Sequence, residues 1–166
     1  MTEAGASVDA LVRGATRRLA ASGIPEPSRE AWRLWADLRG ELPGASLLAR
    51  DRTASATEAE RFTGAVARRV AGEPLAYVTG IAGFRRLTLR CDRRALIPRP
   101  ETEGLVELVL ERQATGVVVD VGTGTGCIAL ALADEGHYGA VVAVDRSPEA
   151  LGLARENRDA AGAPVR

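Results

Sequence analysis

Apolar residues recur every three or four positions through the first part of the chain, and at every second position or in unbroken runs further on. Leu11, Val12, Ala15 and Leu19 share one face of a helix expected over about Val8 to Ala21, stopped by Ser22-Gly-Ile-Pro-Glu-Pro27. Ala31, Trp32, Trp35 and Leu38 repeat the spacing in a second helix from about Ser28, with Leu42-Pro-Gly44 ending the run and the two tryptophans read as core anchors. A third helix is expected to start at Thr57 as N-cap, with Glu60 in the capping-box position, and to continue through Phe62, Val66 and Val70.

The texture changes at Gly72-Glu-Pro-Leu-Ala-Tyr-Val-Thr-Gly80, a connector whose glycines and proline argue against helix. After it, Leu87, Leu89 and Cys91 alternate with polar residues as in a strand, and Asp92 to Ile97 is expected to return as its hairpin partner. Pro98 and Pro100 force an extended entry into a helix running to about Gln113, with Glu101 and Glu103 at its positive end. From Val117 the order is strand, glycine loop, helix, strand (Ala140 to Val144) and a last helix with Ser147 as N-cap and Pro148 in its first turn. The expected architecture is α/β: a helical module over 1–72, a linker and β-hairpin over 73–99, and a partial Rossmann-like domain over 100–166.

Composition narrows the function. The 166 residues are 46% hydrophobic and 27% charged, and 22 acidic residues balance 22 basic ones, so no single-signed field points to direct nucleic-acid or membrane binding. Every basic residue is Arg, which reads as genomic codon bias. The pairs Arg17-Arg18, Arg68-Arg69, Arg85-Arg86 and Arg93-Arg94 read as solvated faces, some of them available to an acidic partner surface. Cys91 and Cys127 form neither a metal pattern nor a disulfide framework and read as reduced apolar fillers. No apolar run reaches the ~18 residues of a membrane span, so a cytoplasmic location is expected. His137 reads as a solvated residue at a helix end.

The chemistry concentrates in Val117-Val-Val-Asp-Val-Gly-Thr-Gly-Thr-Gly-Cys-Ile-Ala-Leu130. A strand that feeds a helix through small residues puts bare backbone at the carboxyl edge of a parallel sheet, where α/β folds bind nucleotide-like ligands. The dinucleotide pattern Gly-x-Gly-x-x-Gly fails, because Cys127 stands at its last position. Asp120 would repel a pyrophosphate but suit an ammonium or sulfonium group. S-adenosylmethionine carries such a charge and no phosphates. Asp145, closing the second strand, is placed to accept both ribose hydroxyls.

Gly72 to Gly80, Phe84, Leu96-Ile-Pro-Arg-Pro-Glu-Thr-Glu103, Val119-Asp-Val-Gly-Thr-Gly-Thr-Gly126 and Ala143-Val-Asp-Arg-Ser-Pro-Glu-Ala-Leu151, in this order, closely resemble the HemK/PrmC family of protein-(glutamine-N5) methyltransferases, which act on peptide chain release factors. The resemblance runs from about residue 8 to 166, weak through the helices and strong from Gly72. It implies an N-terminal helical bundle for release-factor recognition, followed by the first half of a Rossmann-like S-adenosylmethionine-dependent methyltransferase domain. It implies Gly122, Thr123, Gly124, Thr125, Gly126 and Asp145 as cofactor contacts, and more weakly Arg99 and Thr102 on the pocket wall, with no metal. The family's Asn-Pro-Pro-Tyr motif is absent, so no catalytic residue is assigned; the chain's single asparagine, Asn157, reads as a helix-surface or cofactor-side residue. The expectation is an incomplete form of the enzyme whose first strand leaves an apolar flank open and promotes self-association. A non-catalytic fragment that docks the release factor is the alternative. A nicotinamide oxidoreductase is disfavoured by Cys127 and Asp120.

Overall fold

The computed structural model describes residues 6–166. The chain divides into two compact units, Met1–Thr79 and Gly80–Arg166.

The first unit is helical: α1 (Val8–Ala21), α2 (Pro27–Arg39), α3 (Pro43–Leu48), α4 (Ala56–Val70) and α5 (Leu75–Thr79). Its core collects Val8, Val12, Ala15 and Leu19 of α1, Leu34 and Trp35 of α2, and Phe62 and Val66 of α4. Trp35 and Phe62 meet edge to face with ring centroids 5.1 Å apart. Trp35 is the buried anchor expected, whereas Trp32 is only partly buried against the core. The N-cap of α4 is Ser55 and not Thr57: Ser55 Oγ accepts the Glu58 amide at 3.2 Å while Glu58 Oε2 accepts the Ser55 amide at 2.8 Å. The segment expected to be non-helical contains α5, because Pro74 opens a short turn in which its carbonyl accepts the amides of Tyr77 and Val78. Three of the arginine pairs engage acids through at least one member, Arg85 with Glu135 and Arg94 with Asp92 among them. Arg68 donates to Glu73 and Arg69 to Glu30, each at 2.7 Å at the closest.

The second unit opens with an antiparallel hairpin, β1 (Ile81–Phe84) with β2 (Leu87–Arg90), so the partner of β2 lies before it and not at Asp92 to Ile97. The turn residue Arg85 has φ +50°, unusual for a side chain of this size. It is held there by tertiary acceptors: its amide donates to Glu103 Oε1, and its guanidinium to Glu135 at 2.5 and 2.7 Å and to Glu107 at 2.8 Å. Next come α6 (Pro100–Arg112), β3 (Thr115–Val121), α7 (Cys127–Glu135), β4 (His137–Val144) and α8 (Pro148–Ala161).

β3 and β4 run parallel, with Val119 opposite Val142 and Val121 opposite Val144. One face packs on α7 through a core of Phe84, Leu89, Val106, Leu130, Leu132 and Val141. The other face keeps Val117, Val119 and Val121 at 71%, 53% and 80% exposure. The sheet starts to widen on the far side of β4, where Val165 bridges Val141 and Arg166 exchanges hydrogen bonds with Val141 and Ala143. The opposite edge of β3 has no strand partner among the described residues. His137 begins β4 instead of capping α7, its amide donating to the Ala114 carbonyl at 2.8 Å, because Gly136 is extended and passes the chain straight from helix to strand. No helix among the described residues is long and apolar enough to cross a membrane.

Candidate functional site

The carboxyl ends of β3 and β4 deliver Val121-Gly122 and Val144-Asp145 side by side, and with Arg146 these residues line an open cleft of about 470 Å³. A larger groove of about 520 Å³ lies between α1 and α4 in the helical unit, lined by Ala10, Gly14, Phe62 and Val66 beside Arg17 and Arg18, but it holds no titratable cluster beyond those arginines. The sheet-end cleft is the one that converges with the glycine loop.

Between β3 and α7 the three glycines are not interchangeable. All have positive φ: +81° at Gly122, +57° at Gly124 and +84° at Gly126. A Cβ at Gly122 would meet nothing within 4 Å, so this backbone faces open space. A Cβ at Gly126 would stand 3.3 Å from Leu130 Cδ1 and 3.4 Å from Ala154 Cβ, so Gly126 serves the close approach of α7 and α8. Thr123 and Thr125 are buried, and their side chains belong to the interior rather than to the cleft.

The amides of Gly122, Thr123, Gly124 and Gly126 are already engaged. Gly122 and Thr123 both donate to the Val144 carbonyl, at 2.8 and 3.0 Å, and Gly126 donates to the Thr123 carbonyl at 2.8 Å. The Gly124 amide donates to Asp145 Oδ2 at 2.9 Å, while Asp145 Oδ1 accepts from Ser147 at 3.0 Å. These amide donors, Ser147 foremost and then Gly124, hold the Asp145 carboxyl below the usual carboxylate range. Asp120, expected to face a cationic ligand, is turned inward: its Oδ2 accepts the Thr123 hydroxyl at 2.6 Å and the Ala129 amide at 3.3 Å, which caps the first turn of α7.

Asn157 is neither on the helix surface nor open to the cleft. It is 2% exposed, accepting from the Arg90 amide at 2.7 Å and donating to the carbonyls of Arg90 at 3.1 Å and Thr125 at 2.9 Å. Thr125 Oγ1 is buried with no hydrogen bond of good geometry, although it faces Cys127 closely enough to offset part of the rise that burial causes in that thiol. Burial also pushes the Cys91 thiol up to about 11, so both cysteines are protonated near neutral pH. Arg99, an exposed N-cap, and Thr102, whose amide donates to the Arg99 carbonyl, stand at the first turn of α6 and are not among the residues lining the cleft. No cluster of three or more potential metal ligands occurs among the described residues.

A helical unit followed by a β-α-β-α unit with this loop defines a two-part protein, and each part matches a known family: residues 10–80 the PrmC N-terminal domain and residues 113–164 a methyltransferase domain. Across both parts the chain is similar to release factor glutamine methyltransferases. It is 40% identical to a release factor glutamine methyltransferase of Vibrio cholerae over 91% of this chain and 54% of that relative. It is 41% identical to one of Cereibacter sphaeroides over 96% of this chain and 57% of the relative, and 40% identical to one of Deinococcus radiodurans over 94% and 57%. The chain thus spans about half the length of these curated relatives. S-adenosylmethionine is the cofactor that a methyltransferase domain of this family implies.

Proposed function

We propose that this chain supplies the cofactor-holding and release-factor-docking parts of an S-adenosylmethionine-dependent methyltransferase that acts on the side-chain amide nitrogen of a glutamine in peptide chain release factors. The observation that carries the cofactor reading is the inward engagement of the loop amides of Gly122, Thr123, Gly124 and Gly126. A phosphate-binding loop aims such amides at its anion. Here they are spent on Val144, Thr123 and Asp145, and Asp120 and Asp145 add two carboxylates beside the loop. With Asp145 as the acceptor at the cleft and the Asp120 charge behind the loop, the arrangement fits a ligand with a cationic sulfur, an ammonium and ribose hydroxyls, and opposes a diphosphate.

Gly122 gives the ligand open backbone, and the Asp145 carboxylate accepts ribose hydroxyls at the cleft. The bound cofactor supplies an activated methyl group. The chain's part is to orient it and to keep Asp145 ionised. The helical unit takes the protein substrate, with the α1 and α4 groove and its Arg17 and Arg18 as the docking face. Release factors work in the translating cytoplasm, and we place the protein there.

Calorimetric titration with S-adenosylhomocysteine, set beside NADH, tests the cofactor reading. Heat with the first and none with the second supports it. Binding of NADH alone overturns it in favour of a nicotinamide enzyme, and no heat with either leaves only the docking role.

A further inference from the structure

Three side chains hold the glycine loop by hydrogen bonds. Asp120 reaches it from β3 through Thr123, Asp145 from the end of β4 through the Gly124 amide, and Asn157 from α8 through the Thr125 carbonyl. Asp120 and Asp145 can only accept in their ionised forms; Asn157 is the donor of the set. We propose that Asn157 is a positioning residue of the cofactor site, its carboxamide setting the path of the loop between Gly124 and Gly126. The proposal rests on the reading of this loop as the S-adenosylmethionine site.

The geometry leaves the carboxamide little freedom. Its oxygen takes the Arg90 amide, one N–H goes to the Arg90 carbonyl and another to the Thr125 carbonyl, so β2, the loop and α8 are joined through one buried group. The pair of bonds to Arg90 would suffice to fasten α8 to the hairpin. The third bond falls where the loop most needs a tether: Thr125 sits between two glycines of positive φ, and its own hydroxyl makes no hydrogen bond of good geometry. Release of the Thr125 carbonyl would let the peptides on either side rotate, and with them the Gly124 amide that holds Asp145.

Asn157→Asp is the discriminating variant, since its ionised carboxyl cannot donate and sets an oxygen against two carbonyls, whereas its protonated form regains one donor. In the wild-type chain, S-adenosylhomocysteine affinity is expected to stay flat between pH 8 and pH 5. In Asn157→Asp it is expected to be about 10-fold or more weaker at pH 8, the size of one lost buried hydrogen bond, and to recover as pH falls. Amide hydrogen exchange at Gly122, Thr123, Gly124 and Gly126 in the ligand-free chain should quicken at pH 8 beyond what the change in global stability explains. Asn157→Ala serves as the second variant and should show the same loss with no recovery at low pH. A variant that melts lower yet binds as wild type, with unchanged loop exchange, reduces Asn157 to a packing role and overturns the proposal. If the wild-type chain fails to bind, the cofactor reading falls, and loop exchange in the variants still decides whether Asn157 sets the loop.

Discussion

Asp145 Oδ2 accepts the Gly124 amide at 2.9 Å, so the end of β4 and the middle of the glycine loop are one hydrogen-bonded object. The carboxylate proposed to meet the ribose is also the group that shapes the backbone beside it.

Asp145→Ala therefore removes both functions. S-adenosylhomocysteine binding is expected to weaken by about 1 to 3 kcal/mol, the range for an unmade buried hydrogen bond. Titration calorimetry checks this, and unchanged affinity would withdraw the assignment. The carboxyl's depressed pKa makes its contribution complete above the ordinary Asp range, and the contribution is lost only as pH falls through the lower folded value. Affinity should show no inflection from this group between pH 5 and pH 8.

Gly122→Ala and Gly126→Ala should separate ligand approach from packing. Both strain a positive φ, at about 1 to 3 kcal/mol. Gly126→Ala also drives a methyl towards Leu130 and Ala154 and should be the less stable of the two in urea denaturation. Gly122→Ala, with open space around its Cβ, should lose more cofactor affinity than its fall in stability accounts for.

Arg85 binds the hairpin to α6 and α7 through Glu103, Glu107 and Glu135. Its guanidinium holds the Glu135 carboxyl below the ordinary range. The stability from that pair is present in full above the unfolded Glu value and is lost as pH falls through the folded one. Arg85→Ala should lower the melting temperature by several degrees at pH 7 and by less near pH 3. Arg85→Gly keeps the left-handed turn without strain and should melt above Arg85→Ala. Thermal scans of both variants at the two pH values provide the check.

Val117, Val119 and Val121 present an apolar row to water on one face of the sheet. Sedimentation velocity of this chain should show concentration-dependent association, and Val117→Thr with Val119→Thr should reduce it. A wild-type chain that stays monomeric across the concentration series would contradict this.

The glycine loop and the helix starts at Pro100 and Ser147 were legible because the residues that specify them are contiguous: alternate glycines, or a proline and a cap just ahead of an amphipathic run. The hairpin was misread for the opposite reason. Its turn is Arg85-Arg86, with neither Gly nor Asn, and its positive φ depends on Glu103 and Glu135, far along the chain. At α4 two overlapping capping boxes compete, Ser55 with Glu58 and Thr57 with Glu60, and Arg52 favours the first by pairing with Glu58 at 3.0 Å. Asn157 carried no local signal, because both of its partners, Arg90 and Thr125, are distant in sequence.

A loop in which the amides of Gly122, Thr123, Gly124 and Gly126 are already matched does not have to be ordered by its ligand. Little conformational entropy would then be lost at Gly122 to Gly126 on association, so encounter should be fast and the lifetime of the complex should be set by the groups that the cofactor itself reaches.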